Sequence, residues 1–162
     1  MSDTIRVGIA DMNICQSPDK ITTIGLGSCI GAVLYDSNTR IAGLVHIMLP
    51  DSTKIKNNQN KMKFADSGIE ALVSELEKKG INKKTLKAKI AGGAKMFNFS
   101  SDKTDLGSIG EKNIIAVKSK LKELGIKVVS EDVGLSYGRT IIFDPDTEEL
   151  TVIKAGKQKN II

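Results

Sequence analysis

Three short apolar runs follow one another closely in the first third of the chain, and this crowding limits the fold more than any other feature. The runs are Ile21–Leu26, Cys29–Tyr35 and Ile41–Leu49. Each is short, apolar and bounded by turn or breaker residues, so each predicts a strand. Asp36-Ser37-Asn38 supplies the turn between the last two runs, and Pro50 closes the third. The sequence therefore predicts strands packed into one region.

The middle of the chain has a different periodicity. Between Phe64 and Lys79 the apolar residues recur at spacings of three and four, which is typical of one helix face. The segment Ile109–Leu124 repeats that pattern, and Ser108 with Glu111 gives it a capping-box start. Each segment is followed by a glycine that signals the end of a helix. Both helices are apolar on one side, so we expect each to cover a sheet.

Further short apolar runs complete the pattern. They are Ile5–Ala10, Leu86–Ala91, Ile126–Val129, Thr140–Phe143 and Leu150–Ile153. Strands early, two helices in the middle and strands late predict an α+β fold, with mixed or antiparallel sheets packed against two main helices. The length of 162 residues fits one domain. We expect this domain to span residues 1–155, followed by a flexible C-terminal tail at residues 156–162.

The start of the chain and its cysteines predict a cytoplasmic protein. No apolar run reaches the ~18 residues needed to span a bilayer, so no membrane insertion is expected. Met1–Asp11 lacks the basic region, apolar stretch and cleavage site of a signal peptide. The two cysteines, Cys15 and Cys29, are expected to stay reduced in that compartment.

Charge and residue types argue against nucleic acid, metal and nucleotide cofactors as ligands. The net charge is +5, but the lysines are spread out and the chain has no Trp, two Tyr and four Phe for base stacking. Cys15, Cys29 and His46 lack the paired spacing of a zinc site. The glycines match neither the dinucleotide fingerprint nor the P-loop, although Gly92-Gly93 after a strand is one alternative phosphate cradle.

The segment from Thr23 to Cys29, with the sequence TIGLGSC, is the most informative part of the chain. Its glycines let backbone approach closely and present a side chain at the end of a strand. Amide N–H groups around Gly27, Ser28 and Cys29 would then be available as an oxyanion hole. The alternative is a plain tight turn with a buried cysteine, because Cys is among the most buried residue types. Cys15 has no such context, and we interpret it as structural or incidental.

His46 is the only histidine, and it lies in an apolar strand where it costs stability unless it is hydrogen-bonded or used. A cysteine nucleophile needs a base, since a free thiol has a pKa of about 8.5. If imidazole is the base for Cys29, only His46 can serve. A satisfied core histidine is the alternative interpretation. A third group would orient the ring, and local sequence leaves Thr23, Thr22, Asn13 or a distant acid open.

At these residues the chain resembles the chemoreceptor glutamine deamidase family, CheD. The resemblance is carried by Thr23–Cys29 and by Val45–Asp51, with the sequence VHIMLPD. Further matching segments are Gly8–Asn13, Phe64–Asp66, Ala88–Phe97, Ile109-Gly110 with Asn113, and Glu131-Asp132. The match covers nearly the whole chain in one register. One departure is the segment Gly134-Leu135-Ser136, where the family often has Gly-Gly-Asn.

The resemblance implies a reaction, partners and site residues. Such enzymes convert selected glutamine side chains of methyl-accepting chemotaxis receptors to glutamate, with a cysteine, a histidine and a threonine that match Cys29, His46 and Thr23. The resemblance also implies a CheC-type phosphatase as a partner and a fold similar to that of bacterial toxin-type cysteine deamidases. It implies no cofactor and no metal.

Two rival functions stay open at this point. A peptidase with the same pair of residues would cleave the chain of its substrate, whereas a deamidase would only change a side chain. A binding module would regulate a receptor or a CheC-type phosphatase by contact, without turnover or in addition to it. We expect Cys29 of an enzyme to be a thiolate that reacts quickly with iodoacetamide at neutral pH, and Cys29 of a pure binding module to be unreactive.

Overall fold

The structure, a computed structural model, describes residues 2–96, 108–156 and 158–162. The strands are β1 Thr4–Val7, β2 Met12–Gln16, β3 Lys20–Leu26, β4 Ile30–Asp36, β5 Ile41–Ile47, β6 Lys87–Gly92, β7 Lys127–Val133, β8 Arg139–Asp144, β9 Glu149–Lys154 and β10 Lys159–Ile161. The helices are α1 Ala65–Lys78 and α2 Ile109–Glu123. Single turns of 3₁₀-helix occur at Ser52–Lys54, Lys61–Lys63 and Lys83–Thr85.

The strands form two five-stranded mixed sheets. The central sheet has the order β2-β5-β4-β6-β7, and only its β6–β7 pair is parallel. The outer sheet has the order β1-β3-β8-β9-β10, and only its β1–β3 pair is parallel. The α+β class with mixed sheets and two main helices is thus confirmed, while the likeness to toxin-type deamidases stays a prediction.

The central sheet is buried on both faces. Every residue of β4 and β5 is buried, which explains why their sequences are continuous apolar runs. One face, with Leu34 and Val45, packs with the helices; the other, with Val33 and Leu44, packs with the outer sheet around Phe143. The result is three layers: helices, central sheet and outer sheet. A side chain on the second face therefore lies between two sheets.

Both helices cover the same face of the central sheet and contact each other. The capping prediction for α2 is confirmed, since the Ser108 hydroxyl accepts the N–H of Glu111 at 3.1 Å. Gly80 and Gly125 follow the helices with φ of +88° and +74°, the left-handed conformation expected of a glycine after a helix end. Among the described residues no helix has the length and apolar character to cross a membrane.

Local pattern located most strands but missed two at the edges of the sheets. β2 mixes polar and apolar residues because it is an edge strand. β10 lies within residues 156–162, the segment that the sequence predicts to be a flexible tail. The strand predicted at Ile5–Ala10 ends at Val7, because the chain turns at Ala10 with a φ of +56°. β7 continues through polar residues to Val133, since it is paired with β6. The flexibility predicted for residues 156–162 stays a prediction. The strand β10 lies in that segment and pairs with β9.

Candidate active site

His46 on β5 is completely buried between the two sheets. Its Nδ1 lies 2.8 Å from the hydroxyl oxygen of Thr23, which is also completely buried on β3. That hydroxyl donates to the backbone carbonyl of Val7 on β1 at 2.7 Å. Strands from both sheets therefore meet at the imidazole, and the polar atoms of the contact are enclosed by apolar packing.

The contact with Thr23 selects one tautomer of His46. A threonine hydroxyl carries one hydrogen, and here that hydrogen goes to the Val7 carbonyl, which can only accept. The hydroxyl oxygen must therefore accept from the ring, so the proton of the neutral imidazole sits on Nδ1. The lone pair is then on Nε2, a buried atom without a hydrogen-bond partner among the described residues. The arrangement leaves Nε2 ready to accept a proton.

The other groups that the sequence allowed as ring partners are engaged elsewhere. The Thr22 hydroxyl donates to the Ile141 carbonyl at 2.7 Å, and the Asn13 side chain accepts from the N–H of Ile14. No carboxylate among the described residues is hydrogen-bonded to His46. Thr23 is thus the residue that contacts the ring.

A glycine lets the two sheets approach at this point. Gly31 on β4 is paired directly opposite His46. A Cβ at Gly31 would lie 2.7 Å from Cδ1 of Ile141 and 3.1 Å from Cδ1 of Leu26, both on the outer sheet. Because these distances are shorter than van der Waals contact, any side chain there would displace the Ile141 and Leu26 side chains. The Cγ2 of Thr23 would also lie 3.5 Å from that Cβ.

Cys29 lies immediately before β4 and is only partly buried. Side chains alternate along a strand, so Cys29 shares the face of Gly31 and Val33, and it packs with the cluster between the sheets. His46 lies on that same side of β5. No hydrogen bond joins the Cys29 sulfur to His46, a separation often seen in enzymes before substrate binds. The structure thus brings Thr23 and His46 together and places Cys29 on the same face, two residues before the strand partner of His46.

The backbone of the loop at residues 27–29 is tied to the segment that follows β6. The N–H of Gly93 donates to the Cys29 carbonyl and that of Ala94 to the Gly27 carbonyl, both at 2.9 Å. Gly92 has a φ of +114°, and a Cβ there would lie 2.1 Å from the Cys29 carbonyl oxygen. Gly92 is therefore explained by its packing on the loop of Cys29. Gly93 has a φ of +70°, and a Cβ there would lie 2.5 Å from the Ile114 side chain. Nothing in this packing favours a phosphate cradle.

The amide groups of this loop are not equivalent. The N–H of Gly27 donates to the Gly25 carbonyl at 3.1 Å and is thereby occupied. The N–H groups of Ser28 and Cys29 have no backbone acceptor within the described part of the chain. These two groups are the donors that an oxyanion next to Cys29 could use.

Burial keeps both reactive groups neutral. It lowers the pKa of His46 to about 4, because the charged imidazolium would be enclosed between the sheets. It also raises the pKa of the Cys29 thiol, and a hydrogen bond from the N–H of Cys29 itself only partly opposes that rise. Burial therefore favours the thiol and the neutral imidazole, while the reactive thiolate expected from the sequence stays a prediction.

Asn113 on α2 is a residue whose role the sequence analysis did not assign. Its side chain is completely buried, and its Nδ2 donates to the carbonyls of Ser28 and Met48, each at 2.9 Å. The only local signal, besides the family resemblance, was a polar residue four positions before Val117 on the apolar face of the helix.

A buried ion pair supports the same end of the sheets. Arg139 on β8 is paired opposite Leu26, and its Nε donates to Asp132 at 2.9 Å. The guanidinium also stacks on the ring of Tyr137, 4.4 Å from its centre. Nearby, Leu135 has a φ of +60°, a conformation that favours glycine, and its carbonyl accepts from Lys95. The departure from the family sequence thus lies beside the segment that holds the loop of Cys29.

A groove of about 730 Å³ runs between α2 and the segment after β5, but none of the three candidate residues lines it. Leu49, Pro50 and Asp51 of the second motif do line it, so this part of the motif serves another surface. Asp66 holds the same segment by accepting the N–H and hydroxyl of Ser52. In the described ranges no three His, Cys, Asp or Glu side chains cluster as metal ligands would.

Comparison with known proteins agrees with the resemblance seen in the sequence. The model of the family described as CheD chemotactic sensory transduction matches residues 48–154. A protein of Lachnoclostridium phytofermentans is 55% identical over 99% of this chain and 100% of its own length. Relatives from Syntrophomonas wolfei and Caldanaerobacter subterraneus are 50% and 54% identical, over 100% and 96% of this chain and 100% and 95% of their own. All three are named "Probable chemoreceptor glutamine deamidase CheD". Its identity of 50% or more to these relatives over nearly its full length shows that this chain belongs to the CheD family.

Proposed function

We propose that this protein deamidates selected glutamine side chains of chemotaxis receptors, with Cys29 as nucleophile, His46 as general base and Thr23 as the residue that orients the ring. The deamidase role is that of the family's named relatives. The observation that carries the mechanism is the Thr23–His46 contact. It leaves the Nε2 lone pair of His46 free on the face that Cys29 shares.

The reaction begins with two neutral groups. As the Cys29 sulfur attacks the carboxamide carbon of the substrate, its proton passes to Nε2 of His46. The carbonyl oxygen becomes an oxyanion, and the amides of Ser28 and Cys29 donate to it. The imidazolium then gives its proton to the leaving nitrogen, so ammonia departs and a thioester remains.

Hydrolysis of the thioester completes the cycle. His46 takes a proton from water as the water oxygen attacks the thioester carbon, and the same proton returns to the Cys29 sulfur as it leaves. The balance is glutamine plus water to glutamate plus ammonia. Thr23 holds the ring during both transfers by accepting from Nδ1, and its neutral hydroxyl stabilises the imidazolium less than a carboxylate would.

The neutral pair makes the base essential. A cysteine held as a thiolate could attack without proton transfer, but burial raises the pKa of Cys29 and lowers that of His46 to about 4. The thiol must therefore lose its proton during the attack rather than before it. This also means that slow alkylation at neutral pH does not distinguish an enzyme from a binding module.

Mass spectrometry of a receptor fragment tests the proposal. We expect wild-type protein to add about 1 Da for each modified glutamine of a chemoreceptor cytoplasmic fragment, as hydrolysis of an acyl-thiol intermediate requires. Cys29→Ala should give no gain. The matched control is Cys15→Ser, which removes the other thiol, buried away from His46, and should leave the gain unchanged. Cleavage of the fragment would favour a peptidase, and no gain on several receptors would favour a binding module.

The family resemblance also supports two proposals about context. The first is that the protein works in the cytoplasm, where the receptor domains that bear the glutamines are found. The second is that it binds a CheC-type phosphatase and so combines catalysis with regulation by contact. Titration calorimetry with such a phosphatase checks the second, and Cys29→Ala should bind as wild type does, because turnover is not needed for contact.

A further inference from the structure

We propose that Asn113 is a positioning residue that turns the peptide between Ser28 and Cys29 so that the Cys29 N–H points into the active site as an oxyanion donor. This inference rests on the proposed function. Asn113 touches neither the thiol nor the imidazole in any hydrogen bond of the described structure; its action passes through the backbone.

The amide of Asn113 bridges the two strands that carry the reactive side chains. It donates to the carbonyl of Ser28, just before Cys29, and to that of Met48, two residues after His46. The ladder between β4 and β5 ends at the pair Ile30–Ile47. Asn113 therefore continues the connection between these strands where their own hydrogen bonds stop.

Three successive carbonyls of the loop are held from outside. The Gly27 and Cys29 carbonyls accept from the backbone of Ala94 and Gly93, and only the Ser28 carbonyl depends on a side chain. In a trans peptide the C=O and the next N–H point in opposite directions. Fixing the Ser28 carbonyl toward α2 therefore fixes the Cys29 N–H away from α2.

The direction away from α2 leads into the site. The helices cover one face of the central sheet, while Cys29 packs on the other face, toward the outer sheet and His46. The N–H of Cys29 itself partly offsets the rise in the pKa of the thiol, which agrees with an N–H that faces the sulfur. An oxyanion formed by attack of that sulfur would lie within reach of this N–H.

Joining the two strands accounts for the donors of Asn113 but not for its carbonyl oxygen. Its Oδ1 is buried without a partner among the described residues, which costs stability. One turn further along the same face of α2 the chain places Val117, and then Leu121, both fully buried in the apolar cluster. On this otherwise apolar face, Asn113 alone places a donor against two backbone carbonyls, one of them directly before Cys29.

The test separates the oxyanion from the thiol. For Asn113→Ala we expect kcat of deamidation to fall roughly 10²-fold, the usual effect of losing an oxyanion donor, with KM changed by less than about threefold. Alkylation of Cys29 by iodoacetamide, an attack on a tetrahedral carbon that forms no oxyanion, should stay within about twofold of wild type. Val117→Ala is the matched control: it destabilises the same helix face, but its kcat should match wild type.

The other outcomes are equally informative. A kcat within about threefold of wild type would overturn the inference, as would a parallel fall in kcat and alkylation, since Asn113 would then act on the fold of the whole site. Should Asn113→Ala not fold, Asn113→Leu, which has nearly the same shape and no donor, must show the same separation; if it also fails to fold, Asn113 is required for folding and the inference is rejected. Absence of deamidation by the wild type would instead contradict the proposed function.

Discussion

The two halves of the candidate site are built in different ways. The base half consists of His46, Thr23 and the Val7 carbonyl, is fully buried, and is held by hydrogen bonds between two sheets. The nucleophile half is the loop at residues 27–29, whose backbone is held while the Cys29 side chain is partly exposed and free of side-chain partners. One half fixes a side chain; the other fixes a backbone and leaves the side chain able to turn.

The difference follows from what each group must do. A general base has to keep one tautomer through several proton transfers. A hydrogen bond buried between two sheets, away from water, keeps the ring in that tautomer. A nucleophile has to reach a substrate that arrives from solvent, so it sits at the end of a strand. The four predictions below test this division, from the largest expected effect to the smallest.

Loss of the base should have the largest effect. We expect His46→Ala to lower kcat of deamidation roughly 10³-fold, because the neutral thiol of Cys29 then has no group to take its proton. The measurement is steady-state kinetics on a receptor fragment, with thermal unfolding as the control for folding. A folded His46→Ala protein with wild-type kcat would remove His46 from the mechanism.

Acid should weaken the base half of the fold. The pKa of His46 is lowered from 6.5 to about 4 in the folded state, so the unfolded chain binds the extra proton more readily. Stability from the neutral ring is therefore complete above pH 6.5 and is lost as pH falls toward 4, by on the order of 3 kcal/mol.

The comparison with His46→Gln isolates this contribution. Carboxylates titrate in both proteins, so the difference between their free energies of unfolding reports His46 alone. We expect wild type to lose stability relative to His46→Gln as the pH falls from 6.5 to 4, as measured by urea denaturation. A difference that does not vary with pH would mean that the ring is not held neutral.

Removing the contact that orients the ring should have an intermediate effect. We expect Thr23→Val to lower kcat roughly tenfold, since the ring then loses its preference for a proton on Nδ1, and Thr23→Ser to retain most activity. Thr22→Val is the matched control, because the neighbouring hydroxyl bonds the Ile141 carbonyl and not His46. Equal losses at both positions would assign the effect to the strand rather than to the ring.

The smallest effect concerns the free thiol. We expect iodoacetamide to label Cys29 slowly at neutral pH, with a rate that climbs with pH past the ordinary thiol pKa of about 8.5. The structure gives the reason, since burial raises the pKa of Cys29. Burial also raises the pKa of Cys15 to about 12, so Cys15→Ser should leave the labelling unchanged. Fast labelling with a midpoint below neutrality would indicate a thiolate–imidazolium pair.

The local sequence pattern predicted the elements correctly where a strand is buried on both faces or a helix on one face. The continuous apolar runs of β4 and β5 and the one-sided spacing of α1 and α2 all correspond to elements of the structure. The pattern failed where an element is defined by its partner: β2 and β10 are edge strands with polar residues, and β7 extends through Glu131 and Asp132 because β6 is beside it.

The nucleophile half of the site was also accessible to sequence reasoning, because its signal is local. A cysteine after two glycines at the start of a strand can be recognised within a few residues. For the base half, local sequence predicted His46 but left Thr23, Thr22, Asn13 or a distant acid open as its partner. The family resemblance implied Thr23, and the packing of the two sheets places the Thr23 hydroxyl beside the ring.

By itself the sequence determined the fold class and the family, and it predicted Cys29, His46 and Thr23 as site residues, because these depend on periodicity, residue type and motif along the chain. The tertiary structure alone decided that the Thr23 hydroxyl contacts His46, which tautomer that contact favours, that burial raises the pKa of Cys29 and lowers that of His46, and that Asn113 joins the two strands. Hydrogen-bond partners and desolvation are set by residues far apart in sequence, and only the packed sheets bring those residues together.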